Sequence, residues 1–508
     1  MPAVRKVQKR AVKPVKLRRS ASRHSLPLVT DTEGIDLSPL NATRKALRKR
    51  VDKGKIPGYC CAVVYKGKLL HEDAYGLACP KRGLKYGADV LMRVYCLSKP
   101  CVAVAILRLH DQGKLNVKDP IHKYVTSFRG ARLVSHRNAV SKPGNLAKPI
   151  TILNCLTHTA GLCYGKDKNQ APDSAESKAC HHLVEGVEKG EFRDLAHFID
   201  ELAKVPLRAP AGKQYSYSFA SDVLGRVVEI ASGKSLGEYL KQELFGPLGM
   251  HDTGFSFPKS KGSRLAAVFG SRQSAMDLGA KASSLPKGSK ALCRLDRERP
   301  EESRWSEGRR CKVESGGGSM GANMGGLVST VADCSRFLAM LSQGGALDGV
   351  RVLEPDTVAA YCLPDLLPNV ITSGKKQRAN GSPFGWTALG EVGVARTKRD
   401  TPANTKDDFE IGEVGGGGAA CTYWSINPNR DLATVWFTQL MDNDPYVKEE
   451  ENIYLAARLA VPKSGQSDLH GNKQRKLQQG LHCGRPQARI SQAVRKATKS
   501  NFKRRKPP

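Results

Sequence analysis

Apolar positions near the start of the chain follow two different periods, which predict a helix and then a β-hairpin. Over residues 40–51 the apolar side chains recur every three or four positions, which is typical of an amphipathic helix. The apolar runs 58–64 and 68–70 follow, with Lys66 and Gly67 between them. A glycine-containing turn between two such runs predicts a hairpin.

The next strong pattern is a long apolar helix that begins at Cys96. Its apolar positions continue through Leu109, and Gly113 stands where a glycine commonly ends a helix. Helical patterns also dominate residues 150–250. The middle of the chain is therefore predicted to be mostly helical.

Strand patterns return near the end of the chain. Residues 422–426 and 432–438 predict two strands, and Asn, Pro, Asn and Arg at 427–430 predict the turn that joins them. Early and late strands with helices between them predict an α+β fold. We expect one antiparallel sheet built from both chain ends and flanked by helices, together with a mostly helical subdomain.

The net charge of +34 is concentrated in three segments. Lysine and arginine exceed the acids by 9 in residues 1–24, by 8 in 257–312 and by 12 in 463–508, which leaves +5 elsewhere. We therefore predict a basic disordered arm or transit peptide over 1–30 and a basic disordered tail over 463–508. A single domain is predicted over 31–462, with 257–312 as a basic insertion or long loop.

Composition also bears on location and partners. The fourteen cysteines show no CxxC pairs and no metal-ligand spacing, which favours reduced thiols in an intracellular setting. The start of the chain lacks the apolar stretch of a secretory signal, and no run has the length of a membrane span. A cytoplasmic or organellar location (mitochondrion or plastid) is expected, with the nucleus less favoured although 503–506 resembles an import signal. No cofactor and no metal are expected.

Six ordered sequence blocks resemble the penicillin-recognising β-lactamase family. Residues 92–100 (MRVYCLSKP) resemble its FRIASxSKP block, which opens the catalytic helix with a Ser-x-x-Lys pair, and Cys96 occupies the serine position. The other five blocks follow in family order at 150–162, 210–229, 245–253, 325–337 and 417–431. The blocks are most similar to those of class C β-lactamase-like esterases and carboxypeptidases. The resemblance implies a β-lactamase/transpeptidase-like fold and penicillin-binding-protein-like chemistry.

The resemblance also implies an acyl-enzyme hydrolase with a cysteine as nucleophile. Lys99 lies one helical turn beyond Cys96 and on the same face, where its charge would favour the thiolate. Tyr217 matches the tyrosine that assists proton transfer in the family, and Tyr215 is an alternative shifted by two residues. The backbone amides of Cys96 and Ala419 are expected to form the oxyanion hole.

Two departures from the family pattern bear on the substrate. Phe219 stands where the Tyr-x-Asn version has its asparagine. Gly416, followed by Gly417 and Gly418 in the substrate-binding strand, stands where the family has lysine, histidine or tryptophan. Without a side chain at Gly416, a neutral ester is favoured over a carboxylate-bearing antibiotic.

Two other functions remain open at this point. The same departures favour a pseudoenzyme, in which Cys96 is a small residue in a retired site and the fold serves binding or assembly. Alternatively, the basic tails bind nucleic acid or an anionic surface. His158 is assigned a structural role, because its block is structural in the family.

Overall fold

The computed structural model describes most of the chain. The described residues are 25–134, 148–164, 174–277, 292–296, 299–303, 305–307, 311–318, 326–367, 369–372, 375–378, 384–394, 409–441 and 452–463. The predictions for 1–30 and 463–508 fall outside the described residues except at 25–30 and 463, and part of the prediction for 257–312 falls outside as well. The compact unit treated below ends at Val461.

Strands lie early and late in the chain, and most of the helices lie between them. The α-helices are α1 Ser38–Asp52, α2 Ser98–Asp111, α3 Ile152–Leu156, α4 Ala175–Lys189, α5 Leu195–Leu202, α6 Ala220–Ser232, α7 Leu236–Leu240, α8 Arg272–Asp277, α9 Val331–Ser342, α10 Pro355–Thr357 and α11 Asn452–Ala460. The β-strands are β1 Gly58–Tyr65, β2 Lys68–Cys79, β3 Leu84–Lys85, β4 Met92–Arg93, β5 Phe269–Gly270, β6 Cys293–Arg294, β7 Val328–Ser329, β8 Ala346–Leu347, β9 Val350–Arg351, β10 Asn369–Thr372, β11 Lys375–Arg378, β12 Phe384–Trp386, β13 Glu391–Gly393, β14 Val414–Gly418, β15 Thr422–Asn427 and β16 Leu432–Phe437.

Eight strands form one antiparallel sheet in the order β12-β13-β14-β15-β16-β1-β2-β3. At its centre β16 pairs with β1, so that Ala62 lies opposite Val435. Strands from the two ends of the chain therefore close a single sheet. The predicted α+β architecture is confirmed.

Both predicted hairpins form because their turn residues suit the geometry. Lys66 and Gly67 have φ angles of 48° and 73°, so both central residues of the β1–β2 turn are left-handed. In the β15–β16 turn the Asn427 carbonyl accepts the Arg430 amide at 3.2 Å. The predicted hairpins are thus confirmed, although β2 is longer than the run that predicted it.

The two faces of the sheet are covered by different helices. Along β1, Tyr59, Cys61 and Val63 belong to the core that includes α1 and α11, and Tyr59 stacks on Trp436 with ring centroids 4.8 Å apart. The alternate residues of β1 belong to the larger core that includes α2, α9 and the helices α3–α7. The period of two along β1 thus fills both cores.

Helix α2 lies in the middle of the larger core and packs against α6. It is buried on nearly every face, from Ser98 through Leu107 and again at Leu109. This burial explains its nearly continuous apolar sequence. No helix within the described ranges combines the length and the hydropathy needed to cross a membrane.

The described parts of 257–312 pack against the strand that leads into α2. Phe257, Leu265 and Trp305 form a small buried cluster with Leu91 and Val328. Next to this cluster, buried Arg93 forms an ion pair with Asp296 at 2.9 Å. This basic segment therefore supports the approach to the predicted nucleophile.

Asp333, a residue of the 325–337 block, should make folding stability depend on pH. Its carboxylate accepts hydrogen bonds from the Asp252 amide and the Thr253 hydroxyl, both at 2.8 Å. Burial raises the pKa of Asp333 from the usual 3.8 to about 6. Because the folded protein holds this proton more tightly, the contribution is fully present below pH 3.8 and is lost as the pH rises through about 6. The loss is at most about 3 kcal/mol.

Urea unfolding at pH 4.5 and pH 7 tests this expectation. The fall in unfolding free energy between the two pH values should be smaller in Asp333→Asn than in the wild type, because the amide does not titrate. Equal pH dependence in the two proteins would contradict the assignment.

Candidate active site

The predicted nucleophile lies in a tight turn ahead of α2. Cys96 belongs to a 3-10 turn over Tyr95–Leu97, and the α-helix begins at Ser98. The predicted helix start at Cys96 was therefore wrong by two residues. The reason is local backbone geometry: Tyr95 has a left-handed φ of 46°, and the Leu97 amide bonds to the Val94 carbonyl in a 3-10 pattern.

The thiol of Cys96 is more accessible than most others in the protein. The described ranges contain thirteen of the fourteen cysteines, and none of these thirteen forms a disulfide. Cys96 and Cys311 are partly exposed, whereas the other eleven are buried. Cys96 can therefore meet a reactant without opening of the core.

Ser98 has a structural role instead of a chemical one. Its hydroxyl is fully buried and accepts the Leu327 amide at 2.9 Å. Gly326, the residue before Leu327, lies so close that an added Cβ would contact the Ser98 hydroxyl. The serine adjacent to Lys99 thus joins α2 to the 325–337 block.

Lys99 is buried, and its ammonium is held over the predicted proton-transfer tyrosine. The Lys99 Nζ lies 4.6 Å from the centroid of the Tyr217 ring and 5.7 Å from that of Tyr164. It also donates a hydrogen bond to the carbonyl of Gly317. Such cation–π contacts, with a carbonyl acceptor, stabilise a charge that burial would otherwise penalise.

A buried carboxylate, Asp222, supports the backbone that binds Lys99. One Asp222 oxygen accepts the Ser315 hydroxyl at 2.6 Å and the Gly317 amide at 3.2 Å. Burial raises the pKa of Asp222, while these hydrogen bonds and the charge of Lys99 act in the opposite direction. Asp222 thereby sets the position of the Gly317 carbonyl.

Tyr217 lies beside both Cys96 and Lys99. Burial raises the pKa of Tyr217 well above its usual value, and the negative charge of a Cys96 thiolate and a hydrogen bond between the two side chains raise it further. The alternative, Tyr215, packs its ring 5.3 Å from that of Trp386, and burial raises its pKa as well. The structure thus brings Cys96, Lys99 and Tyr217 together.

Phe219, at the asparagine position, belongs to the core. Its side chain is fully buried, with ring centroids 4.6 Å from Tyr164 and 5.4 Å from Phe198. It packs edge-on against the ring of Tyr164. No polar group replaces the family's asparagine at this position.

The glycine-rich strand β14 ends against the turn that carries Cys96. An added Cβ at Gly418 would overlap the Val94 carbonyl, and Thr422 donates to that same carbonyl at 3.2 Å. Only glycine allows this approach. Ala419 directly follows Gly418, so its amide comes one residue after this close approach.

Gly416 lies two residues before Gly418 on β14 and pairs with Trp424 on β15. An added Cβ would meet no atom closer than the Trp424 indole nitrogen at 3.4 Å, which is an ordinary contact. A Cβ would therefore fit at Gly416. Because glycine has no side chain, this position of β14 supplies no positively charged group to the site.

Several residues of the site were missed in the sequence. They are Tyr164, Asp222 as a support, Gly317 and Gly318. An added Cβ at Gly318 would overlap the Tyr95 carbonyl, and its φ is 54°. The run Ser-Gly-Gly-Gly at 315–318 was the available signal. Within the described ranges, no group of His, Cys, Asp and Glu could hold a metal ion.

Comparisons with known proteins show which proteins this chain resembles in sequence and in fold. The Beta-lactamase family model matches residues 43–458. Protein Rv1367c of Mycobacterium tuberculosis is 27% identical over 405 residues, which cover 79% of this chain and 90% of that protein. Esterase EstB of Burkholderia gladioli is 33% identical over 211 residues, which cover 42% of this chain and 49% of the esterase.

Solved structures share the fold. The unliganded selenomethionyl simvastatin synthase LovD from Aspergillus terreus superposes with a TM-score of 0.63 at 19% identity, covering 85% of this chain and all of LovD. EstCE1, described as a hydrolase with promiscuous acyltransferase activity, superposes with a TM-score of 0.60 at 22% identity, covering 83% of this chain and 99% of EstCE1.

Proposed function

The chain belongs to the β-lactamase family, and from that premise we propose that it is an acyl-enzyme hydrolase of ester or amide bonds that uses Cys96 as its nucleophile. One observation carries the proposal: a single tyrosine, Tyr217, contacts both the partly exposed thiol of Cys96 and the buried ammonium of Lys99. A retired site has no need to keep a buried lysine in position, because burying a charge costs stability.

In the proposed acylation, the Cys96 thiolate attacks the carbonyl carbon of the substrate. A carbon–sulfur bond forms, and the carbonyl electron pair moves to oxygen, where the amides of Cys96 and Ala419 stabilise the oxyanion. The intermediate collapses, the leaving group departs with a proton from Tyr217, and a thioester remains.

In the proposed deacylation, a water molecule attacks the thioester. Its proton passes to Tyr217, which restores the hydroxyl, and the second intermediate expels the Cys96 thiolate with release of a carboxylic acid. The ammonium of Lys99 favours the thiolate both at the start and as the leaving group. Atoms and charge balance without any cofactor.

We propose neutral esters as the preferred substrate class. The empty position at Gly416 provides no cation for a substrate carboxylate, and Phe219 provides no amide for a peptide or β-lactam side chain. Relatives include an esterase, EstB, and a carboxypeptidase/endopeptidase, AmpH of Escherichia coli, which is 28% identical over 38% of this chain.

Intact-mass analysis after incubation with a chromogenic ester and, separately, a cephalosporin tests the proposal. We expect an acyl adduct with the ester in the wild type and its loss in Cys96→Ala. Cys311→Ala removes the other partly exposed cysteine in the described ranges and should keep the adduct.

The pseudoenzyme is the second candidate, and the lost polar groups at Phe219 and Gly416 favour it. It would be established if the wild type formed no adduct and hydrolysed no ester while Cys96→Ser gained both. That outcome would reject Cys96 as a nucleophile and identify it as the disabling change.

The basic tails support a third, separate role in binding polyanions. Deleting 1–24 and 463–508 should abolish any salt-sensitive retention on nucleic acid. Unchanged retention after the deletion would reject this role.

A further inference from the structure

His158 binds the backbone on both sides of Tyr217. The Ser216 amide donates to the His158 carbonyl at 2.8 Å, and the Ser218 amide donates to the His158 Nδ1 at 3.2 Å. His158 can accept both hydrogen bonds because its φ of 52° is left-handed. This conformation places its carbonyl and its imidazole against the same segment, residues 216–218. The backbone amides of both neighbours of Tyr217, Ser216 and Ser218, are therefore held by a single residue.

The imidazole of His158 must be neutral to make this contact. An imidazolium donates from both nitrogens, so it could not accept the Ser218 amide at Nδ1. Burial and the nearby ammonium of Lys99 hold the pKa of His158 well below its usual value. The ring therefore stays an acceptor at Nδ1, with its proton on Nε2.

The imidazole also packs on the side chain that it positions. Its centroid lies 4.6 Å from that of the Tyr217 ring, and the Trp386 ring lies edge-on to the imidazole at 5.3 Å. With both the backbone and the ring of Tyr217 in contact, His158 limits how that side chain can turn.

The loop that carries His158 is itself well anchored. The Thr157 hydroxyl donates to the Leu153 carbonyl at 2.9 Å, and the Asn154 side chain donates to the Thr159 hydroxyl at 3.2 Å. A residue held this firmly can impose its own position on a neighbour. The spacing of Tyr217 from Cys96 is thus determined from outside its own segment.

We propose that His158 is a positioning residue, which sets the Tyr217 hydroxyl against Cys96 and Lys99 without touching the substrate. The catalytic importance of the contact between Tyr217 and Cys96 rests on the proposed function. The contact itself can be measured on the thiol alone, whether or not an ester is hydrolysed.

Three substitutions of His158 distinguish the role of its hydrogen-bond acceptor, Nδ1, from the role of the volume of its ring. His158→Asn places an amide oxygen near the position of Nδ1, and asparagine tolerates a left-handed φ. His158→Gln places its oxygen one bond further away, and His158→Leu keeps apolar bulk without an acceptor. His182→Leu, at an exposed histidine, is the control.

The readout is the pH profile of Cys96 alkylation by iodoacetamide in the full-length protein, with Cys96 resolved by peptide mass spectrometry. Tyr217→Phe provides the reference change, because it removes the hydroxyl that contacts the thiol. We expect His158→Leu and His158→Gln to shift the profile in the same direction as Tyr217→Phe, and His158→Asn to stay within about threefold of the wild-type rates.

A double-mutant cycle then gives the decisive result. If His158 acts through Tyr217, adding His158→Leu to Tyr217→Phe should change the rates by less than about twofold further. If the leucine variant does not fold, the Asn and Gln variants carry the same comparison. Additive effects, a wild-type profile in both the Leu and the Gln variants, or no effect of Tyr217→Phe would each overturn the proposal.

Ester hydrolysis, measured on the same variants, keeps the two proposals apart. A wild type that hydrolyses no ester but shows the expected alkylation cycle would reject the proposed function and leave His158 as the residue that positions Tyr217. A wild type that hydrolyses ester and loses no turnover on His158→Leu would reject the positioning role alone.

Discussion

Lys99→Met should slow alkylation of Cys96 at pH 7 by about tenfold or more and reduce ester hydrolysis by about a hundredfold to ten-thousandfold. Methionine matches the aliphatic part of lysine, so packing against Tyr217 and Tyr164 is retained while the charge is lost. The substitution removes the positive charge that we propose stabilises the negatively charged sulfur of Cys96 during the reaction. Alkylation rates at Cys96, measured by peptide mass spectrometry, and hydrolysis of a chromogenic ester test the two parts.

Lys123→Met is the matched control for Lys99→Met. Lys123 lies on the surface with its side chain 57% exposed and forms an ion pair with Asp119 at 2.9 Å. Such a pair contributes little, so this variant should keep both rates. The thermal midpoint of Lys99→Met measures how the relieved desolvation cost compares with the loss of the hydrogen bond to the Gly317 carbonyl. Unchanged alkylation in Lys99→Met would show that Lys99 does not act on the thiol.

Gly161→Ala should lower the free energy of unfolding by about 3 kcal/mol or more. Gly161 has a φ of 80°, and an added Cβ would overlap the carbonyl oxygen of Ala209. That backbone cannot withdraw easily, because the Arg208 amide is bonded to the Gly161 carbonyl at 2.7 Å. Urea denaturation of the two proteins measures the loss.

Gly190→Ala separates the clash from the backbone strain. Gly190 has a nearly identical φ of 77°, but no atom lies within 4 Å of its added Cβ. We expect this variant to lose only about 1 kcal/mol, which is the cost of a left-handed alanine. Equal losses in the two variants would mean that the contact with Ala209 has no energetic weight.

The parts of the fold that were predicted correctly depend on neighbours along the chain. The β1–β2 turn follows from Gly67, which suits left-handed backbone, between two apolar runs, and α1 and α2 follow from apolar spacing. The start of α2 was wrong by two residues because the turn at Tyr95 is imposed by contacts with Gly318 and with Thr422, which are distant in sequence. Local propensity contains no information about such contacts.

In the candidate site, too, residues close in sequence could be recognised, whereas contacts between distant segments could not. Cys96 and Lys99 could be recognised together, since a separation of three residues places them on one helical face. The acceptor for Lys99 is the Gly317 carbonyl, 218 residues further along, and the support for that carbonyl is Asp222. His158 and Tyr217 were both visible as residues, but not the two backbone hydrogen bonds that join them.

The sequence alone was enough to recognise the family, the strands at both chain ends and the Cys-x-x-Lys arrangement, because each of these is a pattern of residue types at short range or in fixed order. The folded chain was needed to show that Tyr217 meets the Cys96 thiol, that the Gly317 carbonyl accepts from Lys99 and that His158 binds the backbone beside Tyr217. Those contacts join segments separated by 58 or more residues. They exist because α2 is buried between the sheet and the helical subdomain, where every polar group must find its partner from another part of the chain.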